Sequence, residues 1–244
     1  MNDWVFYTAG STASLSWAIQ RLTEVYDFSP YPKPYITHLL LPVPSIEKGD
    51  CLKGGGNLKT ILARLPEDIT VIGGNLPPLP GYRIIDLLKD PYYATQNAYI
   101  TANCALKRIL DKLPIPLRGC KILVIGWGRI GKCLSKMLKS LEAHVTVAAR
   151  KESDRAMLQA LGYDVIDTEN IDSSPYRVIC NTVPAMVLPE PSPNCLKFEL
   201  ASSPGIGGND VIDTRGLPGK DAPEASGDLI AKTILRIFSK EAQI

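Results

Sequence analysis

Residues 121–131 read KILVIGWGRIG, a short apolar, β-branched run that breaks into Gly126, Gly128 and Gly131 at the spacing G-x-G-x-x-G. Each glycine has its own task where such a turn receives a dinucleotide. Gly126 permits the sharp passage from strand to helix, Gly128 lets the backbone approach a pyrophosphate, and Gly131 lets the helix pack closely on the strand. The amides of Trp127, Arg129 and Ile130 then lie at a helix N-terminus, where unpaired N–H groups favour phosphate. Glycines also mark ordinary turns, so the flanking sequence decides. Ile122 to Ile125 is strand-like, Lys132 to Leu141 helix-like, and His144 to Ala148 a second strand, which completes a βαβ unit. The expected fold class is α/β, two α/β domains, the C-terminal one a Rossmann-type doubly wound parallel sheet.

The end of that second strand is where an NAD site places a carboxylate for the adenosine ribose hydroxyls. Here the position is Ala149, followed by Arg150, Lys151 and Ser153. Two cations and a hydroxyl suit a 2′-phosphate, so NADP is expected over NAD. The same cations also fit a solvated charged loop.

At 244 residues the chain accommodates two modest domains. The expected division is 1–112, a substrate-side α/β domain with a connecting helix, and 113–244, the dinucleotide domain. The first part opens with a strand from Trp4 to Tyr7, a small-residue turn from Ala9 to Ala13, and a helix through Leu15, Ile19 and Leu22. Apolar runs at Leu39 to Val43 and Thr70 to Ile72 add strands of a small parallel sheet. Pro30, Pro32 and Pro34, and the stretch Lys53 to Asn57 with its three glycines, read as loops. Asn97 to Leu110 reads as the connecting helix. Asp221, Pro223 and Glu224 form a capping-box-like start to a long terminal helix through Leu229, Ile230, Ile234 and Phe238. In dehydrogenase-like folds such a helix packs back on the first domain and leaves a ligand cleft between the two.

Further polar groups fall where strands should end. After Arg177 to Cys180 come Asn181, Thr182, Val183 and Pro184, placed to meet a nicotinamide or simply to form a turn closed by proline. After Phe198 to Ala201 come Ser202, Ser203, Pro204 and Gly205, whose hydroxyls and amides suit a carboxylate, or equally a plain flexible loop.

The formal net charge is +2, with no basic cluster interleaved with aromatics, so nucleic acid is not an expected partner. No apolar run reaches the roughly 18 residues of a membrane span. Asn2, Asp3 and Trp4 do not fit the plan of a signal peptide, and a cytoplasmic location is expected. The six cysteines are scattered without a C-x-x-C pair, so they read as reduced and structural, with no metal site.

Taken together these motifs resemble the A subunit of dipicolinate synthase, a family of spore-forming bacteria tied to sporulation. The likeness rests on LLLPVPS at 39–45, NAYITANCAL at 97–106, VIGWGRIG, the strand end at 145–150, CNTVPAMVL at 180–188, ELASSPG at 199–205 and GLPGKDAPEASG at 216–227. It implies a two-domain NAD(P)-dependent oxidoreductase that oxidises dihydrodipicolinate or a related small dicarboxylate, beside a flavoprotein-like B subunit. By that likeness Asn97, Thr101, Ser202 and Ser203 line the substrate cleft, with Gly10 and Ser11 of the first turn and Asn103 of the connecting helix. The family reads Pro, Glu and Gly where this chain has Ile100, Asn103 and Cys104, and commonly carries Asp and Arg in the first turn, where this chain has Ser11, Thr12 and Ala13. Each change alters charge where a dicarboxylate needs pairing.

No catalytic acid or base is assigned; aromatisation of the ring supplies driving force of its own. A 2-hydroxy-acid dehydrogenase would need a histidine with an acidic partner, whereas His38 and His144 both read as structural. The second reading is a non-catalytic NADP-binding sensor or partner subunit. A homodimer is left open.

Overall fold

A computed structural model describes residues 4–241; Asn2 and Asp3 lie outside the described residues. The chain divides into two compact units, Met1–Asn97 with Pro218–Ile244, and Ala98–Leu217.

The first unit begins with β1 (Val5–Thr8), α1 (Ala13–Leu22), β2 (Asp27–Phe28) and β3 (His38–Leu40). A small antiparallel hairpin follows, β4 (Ile46–Lys48) and β5 (Cys51–Leu52), then α2 (Leu58–Leu62), β6 (Thr70–Gly73) and β7 (Arg83–Asp86). The main sheet runs β2-β1-β3-β6-β7 with every neighbouring pair parallel, the flavodoxin-like order. Residues of β3 and β6 are buried throughout, as parallel strands covered on both faces require. Leu39, Leu41, Leu58, Ile69 and Val71 form part of one core cluster.

Helix α3 (Pro91–Lys112) is longer than the stretch expected from Asn97 to Leu110. Its start is set by Asp90, whose carboxylate accepts from the Tyr93 amide at 2.8 Å, with proline at the first helical position, where no N–H is needed. The chain returns to the first unit through α6 (Leu217–Asp221) and α7 (Pro223–Glu241), and α7 packs along α1. Asp221 closes the short helix α6, and α7 starts at Pro223 after the single residue Ala222.

Phe238 of α7 joins Trp4, Phe6 and His38 in an aromatic cluster, with His38 stacked on Phe6 at 4.9 Å. His38 is 5 % exposed. Burial, helped by the charge of Arg83, lowers its pKa from 6.5 to about 4. A histidine held neutral in the fold but free to protonate when unfolded contributes stability that is complete above pH 6.5 and is lost as pH falls toward 4. The loss should reach about 3 kcal/mol, at about 1.4 kcal/mol for each pH unit between the two values. Denaturant titrations between pH 7 and about 4 should show this slope in the native chain and a flatter one in His38→Leu; parallel profiles would refute it.

The second unit holds β8 (Lys121–Ile125), α4 (Arg129–Ser140), β9 (His144–Ala148), α5 (Glu152–Ala160) and β10 (Asp164–Ile166), then β11 (Val178–Asn181), β12 (Leu196–Glu199) and β13 (Ile212–Asp213). All pairs are parallel in the order β10-β9-β8-β11-β12-β13, the doubly wound Rossmann order. The fold class read from sequence is therefore correct. Its second half is unusual, because residues 182–195 and 200–211 cross between strands without a helix. Pro184, Pro189, Pro191 and Pro193 account for the first crossing, since proline lacks the amide that a helix interior needs. Leu188, Cys195 and Ile206 from these segments complete the core over Leu123, Ile125 and Ile179.

Among the described residues no helix is long and apolar enough to cross a membrane, and no group of three or more His, Cys, Asp or Glu side chains is gathered as for a metal. None of the six cysteines is joined in a disulfide.

Candidate dinucleotide site

The strand order reverses between β8 and β11, and the carboxyl ends of these two strands carry the glycine turn and Asn181. Ligands of open α/β sheets bind at such a point.

Gly126 adopts φ +104°, and a Cβ there would lie 2.5 Å from Thr182 Oγ1 and 2.7 Å from Val183. At Gly131 a Cβ would lie 2.1 Å from the Gly126 carbonyl oxygen, so the helix sits directly on the turn. Gly128 differs: an added Cβ meets nothing within 4 Å. It borders open space above the turn, the position assigned to the pyrophosphate. Gly128 caps α4 without a side-chain hydrogen bond, and the first bond across the cap is Lys132 N–H to Gly128 O. The amides of Arg129, Ile130 and Gly131 precede that bond and have no i−4 partner. Arg129 is exposed and Ile130 half-buried. The Trp127 ring is held by Tyr163, 5.8 Å away and edge-on, and by Lys132 at 5.7 Å, which leaves its backbone to face the turn.

At the end of β9, Ala149 is buried and offers no carboxylate, while Arg150, Lys151 and Ser153 are exposed. Lys151 stands at the N-cap of α5, where its side chain cannot accept a hydrogen bond, so this helix start is also uncapped. Glu152 and Asp154 lie in the same first turn and oppose an anion there. A residue that the sequence pattern does not single out organises this corner. Arg155 Nη1 donates to the carbonyls of Ala149 at 2.9 Å and Arg150 at 2.7 Å, and pairs with Asp167.

At the end of β11 the groups face inward. Asn181 is fully buried, its Nδ2 donating to Glu199 Oε1 at 2.8 Å and to the Val183 carbonyl, its Oδ1 accepting from the Val183 amide. Thr182 donates its hydroxyl to the Ile125 carbonyl at 2.8 Å. Both brace the switch point from beneath, while Val183 is half-buried and Pro184 exposed.

In the loop after β12 the amides do receive a carboxylate, but it is the protein's own: Glu199 accepts from Ala201, Gly205 and Ile206 as well as from Asn181. What remains for a ligand is the pair of exposed residues Ser202 and Ser203. On α3, Asn97 and Thr101 are four residues apart and share a face, whereas Asn103 is exposed and, at about 100° per residue, projects away from them. In the first unit, Gly10 has φ +80° and a Cβ there would lie 2.7 Å from the Lys53 carbonyl. The Ser11 amide donates to that carbonyl at 2.9 Å. The triple-glycine stretch thus follows β5 and lies against the first turn, with Gly54 directly on Ser11.

A six-stranded doubly wound sheet with an uncapped glycine turn at its switch point, joined to a five-stranded parallel α/β unit, is a dehydrogenase-like fold. The solved structures that share it include the A chain of dipicolinate synthase from Bacillus subtilis, with a TM-score of 0.84, 19 % identity and coverage of 100 % of this chain and 99 % of that one. The corresponding dipicolinate synthase chain from Bacillus halodurans matches with a TM-score of 0.87, 18 % identity and coverage of 96 % and 97 %. The transhydrogenase from Sinorhizobium meliloti matches with a TM-score of 0.69, 11 % identity and coverage of 97 % and 94 %. No protein-family model and no curated protein sequence matches the chain. The family named by resemblance is thus supported at the level of fold.

Proposed function

We propose that the chain is an NADP-dependent oxidoreductase acting on a small cyclic dicarboxylate of the dihydrodipicolinate type. The observation that carries the reading is the uncapped α4 start beneath Gly128, open to solvent at the one glycine of the turn where a Cβ would touch nothing. The residues fit the cofactor. The amides of Trp127, Arg129 and Ile130 would hold the pyrophosphate, and Arg150, Lys151 and Ser153 the 2′-phosphate. When bound, the nicotinamide supplies hydride chemistry. Glu199 and Asn181 fix the loop that bears Ser202 and Ser203, and Asn97 and Thr101 supply uncharged hydrogen-bonding groups on α3. On this reading a flavoprotein-like second subunit works beside the chain.

The proposed substrate residues Gly10, Ser11, Asn97, Thr101, Asn103, Ser202 and Ser203 are all uncharged. That observation favours the second reading, a sensor or partner subunit that binds NADP without turnover. Incubating purified protein with NADP and dihydrodipicolinate, generated from its aldehyde precursor, separates the two. NADPH absorbance supports the enzyme; binding without absorbance change supports the sensor.

The cofactor site itself is tested by Gly128→Val. The added side chain meets no protein atom at its Cβ, so the fold should be kept while calorimetric affinity for NADPH falls at least about a hundredfold, roughly 2.7 kcal/mol. Unchanged affinity in a folded variant would remove the site.

A further inference from the structure

We infer that Arg155 is a positioning residue that selects for the cofactor's 2′-phosphate by holding the β9–α5 turn in one conformation. The inference rests on the NADP reading above and extends it to a residue that touches no part of the ligand in that reading. Three observations converge on it.

First, a single guanidinium nitrogen bridges two successive carbonyls, of Ala149 and Arg150, at 2.9 and 2.7 Å. In a planar trans peptide the N–H of the next residue points opposite to the carbonyl. Anchoring these two carbonyls on Arg155 therefore aims the amides of Arg150 and Lys151 away from it, and no protein group among the described residues accepts from either amide. Second, Arg155 is itself fixed. It projects from α5, its side chain is 26 % exposed, and it pairs with Asp167 just beyond β10. The Ala149 amide donates to the Ile166 carbonyl, so the turn is tied to the end of β10 at two points. Third, the turn needs such a device. Lys151 cannot cap α5 through its side chain, and the exposed side chains of Arg150, Lys151 and Ser153 find no partner among the described residues to order them.

Asp167 also matters for charge. It offsets the cation of Arg155, so Arg155 contributes geometry more than net attraction, and the free positive charge of the corner belongs to Arg150 and Lys151. All three contacts converge on one guanidinium nitrogen, Nη1, which a planar group holds in place one bond further from the backbone than a lysine ammonium reaches, so lysine does not reproduce the arrangement.

The test is calorimetric binding of NADPH and NADH to the native chain, Arg155→Ala and Arg155→Lys, each checked for folding by its thermal transition. Arg155→Ala should weaken NADPH about tenfold and NADH by less than about threefold, because only the 2′-phosphate depends on this turn. Arg155→Lys keeps the charge and should recover less than half of the lost selectivity. A folded Arg155→Ala that weakens both cofactors equally, or full rescue by lysine, would overturn the positioning role. Should the alanine variant not fold, the lysine variant alone decides, by the same ratio. A native chain that binds NADH more tightly than NADPH would instead sink the choice of cofactor, a distinct result visible before any variant is made.

Discussion

Glu199→Ala is expected to destabilise the Rossmann unit by about 3–5 kcal/mol, because it strips the acceptor from four donors at once. Glu199 is 3 % exposed, and its two oxygens take the Asn181 amide at 2.8 Å, the Ala201 amide at 3.0 Å, the Gly205 amide at 2.7 Å and the Ile206 amide at 3.3 Å. Its backbone carbonyl further accepts from the hydroxyl and amide of Thr214. A methyl group leaves those N–H groups buried and unpaired, each at a cost of about 1–3 kcal/mol, partly relieved if water enters. Glu199→Gln keeps the volume but turns an NH2 toward the donors, so its loss should be intermediate. Hydrogen exchange reads the effect locally: protection of Ala201, Gly205 and Ile206 should fall in both variants, most in alanine, with β1 and β3 unaffected. An alanine variant within about 1 kcal/mol of native would show that the network adds little.

This carboxylate also shows where sequence reading stops. A loop of serine and glycine after a strand does signal a place that receives an anion, and the signal is sound. It cannot say whether the anion comes from outside, because Glu199 precedes the loop in a strand where alternation alone assigns it no partner. The glycine turn is legible for the opposite reason. Gly126 is required by its φ of +104° and Gly131 by its contact with the Gly126 carbonyl, both within one βαβ unit, so local spacing carries enough of the constraint to be read, although Thr182 and Val183 also crowd Gly126. Arg155 is illegible, since Asp167 lies twelve residues further on across β10 and the pair exists only once the sheet forms. The edge strands β2, β7, β10 and β13 escape notice because none is buried along its length as β3, β6 and β11 are, so no continuous apolar run marks them. Helix α5 is hidden by its composition, with Leu158 its one fully buried side chain.

The packing of α7 on α1 yields the other large effect, in the first unit. Gly227 lies inside a helix, where replacement by alanine ordinarily adds about 1 kcal/mol of stability by restricting the unfolded chain. Here the sign should reverse. A Cβ at Gly227 would lie 2.4 Å from the Trp17 Cβ, 2.6 Å from the Ser14 carbonyl oxygen and 2.9 Å from the Ala18 amide nitrogen. Two of those atoms are helix backbone, so relief requires α1 to move as a body, away from contacts that bury Leu15, Ala18 and Leu22 on its inner side. Gly227→Ala should therefore cost stability, and Gly227→Val about 3 kcal/mol or more. Gly219 is the internal control. It also lies in a helix of this unit, but its Cβ would meet only Ser14 Oγ at 3.7 Å, an ordinary contact, so Gly219→Ala should be neutral or stabilising by up to about 1 kcal/mol. Thermal and denaturant unfolding of the three variants decides the matter. Stabilisation by Gly227→Ala comparable to that by Gly219→Ala would mean the two helices do not approach at this glycine, and the close crossing would have to be abandoned.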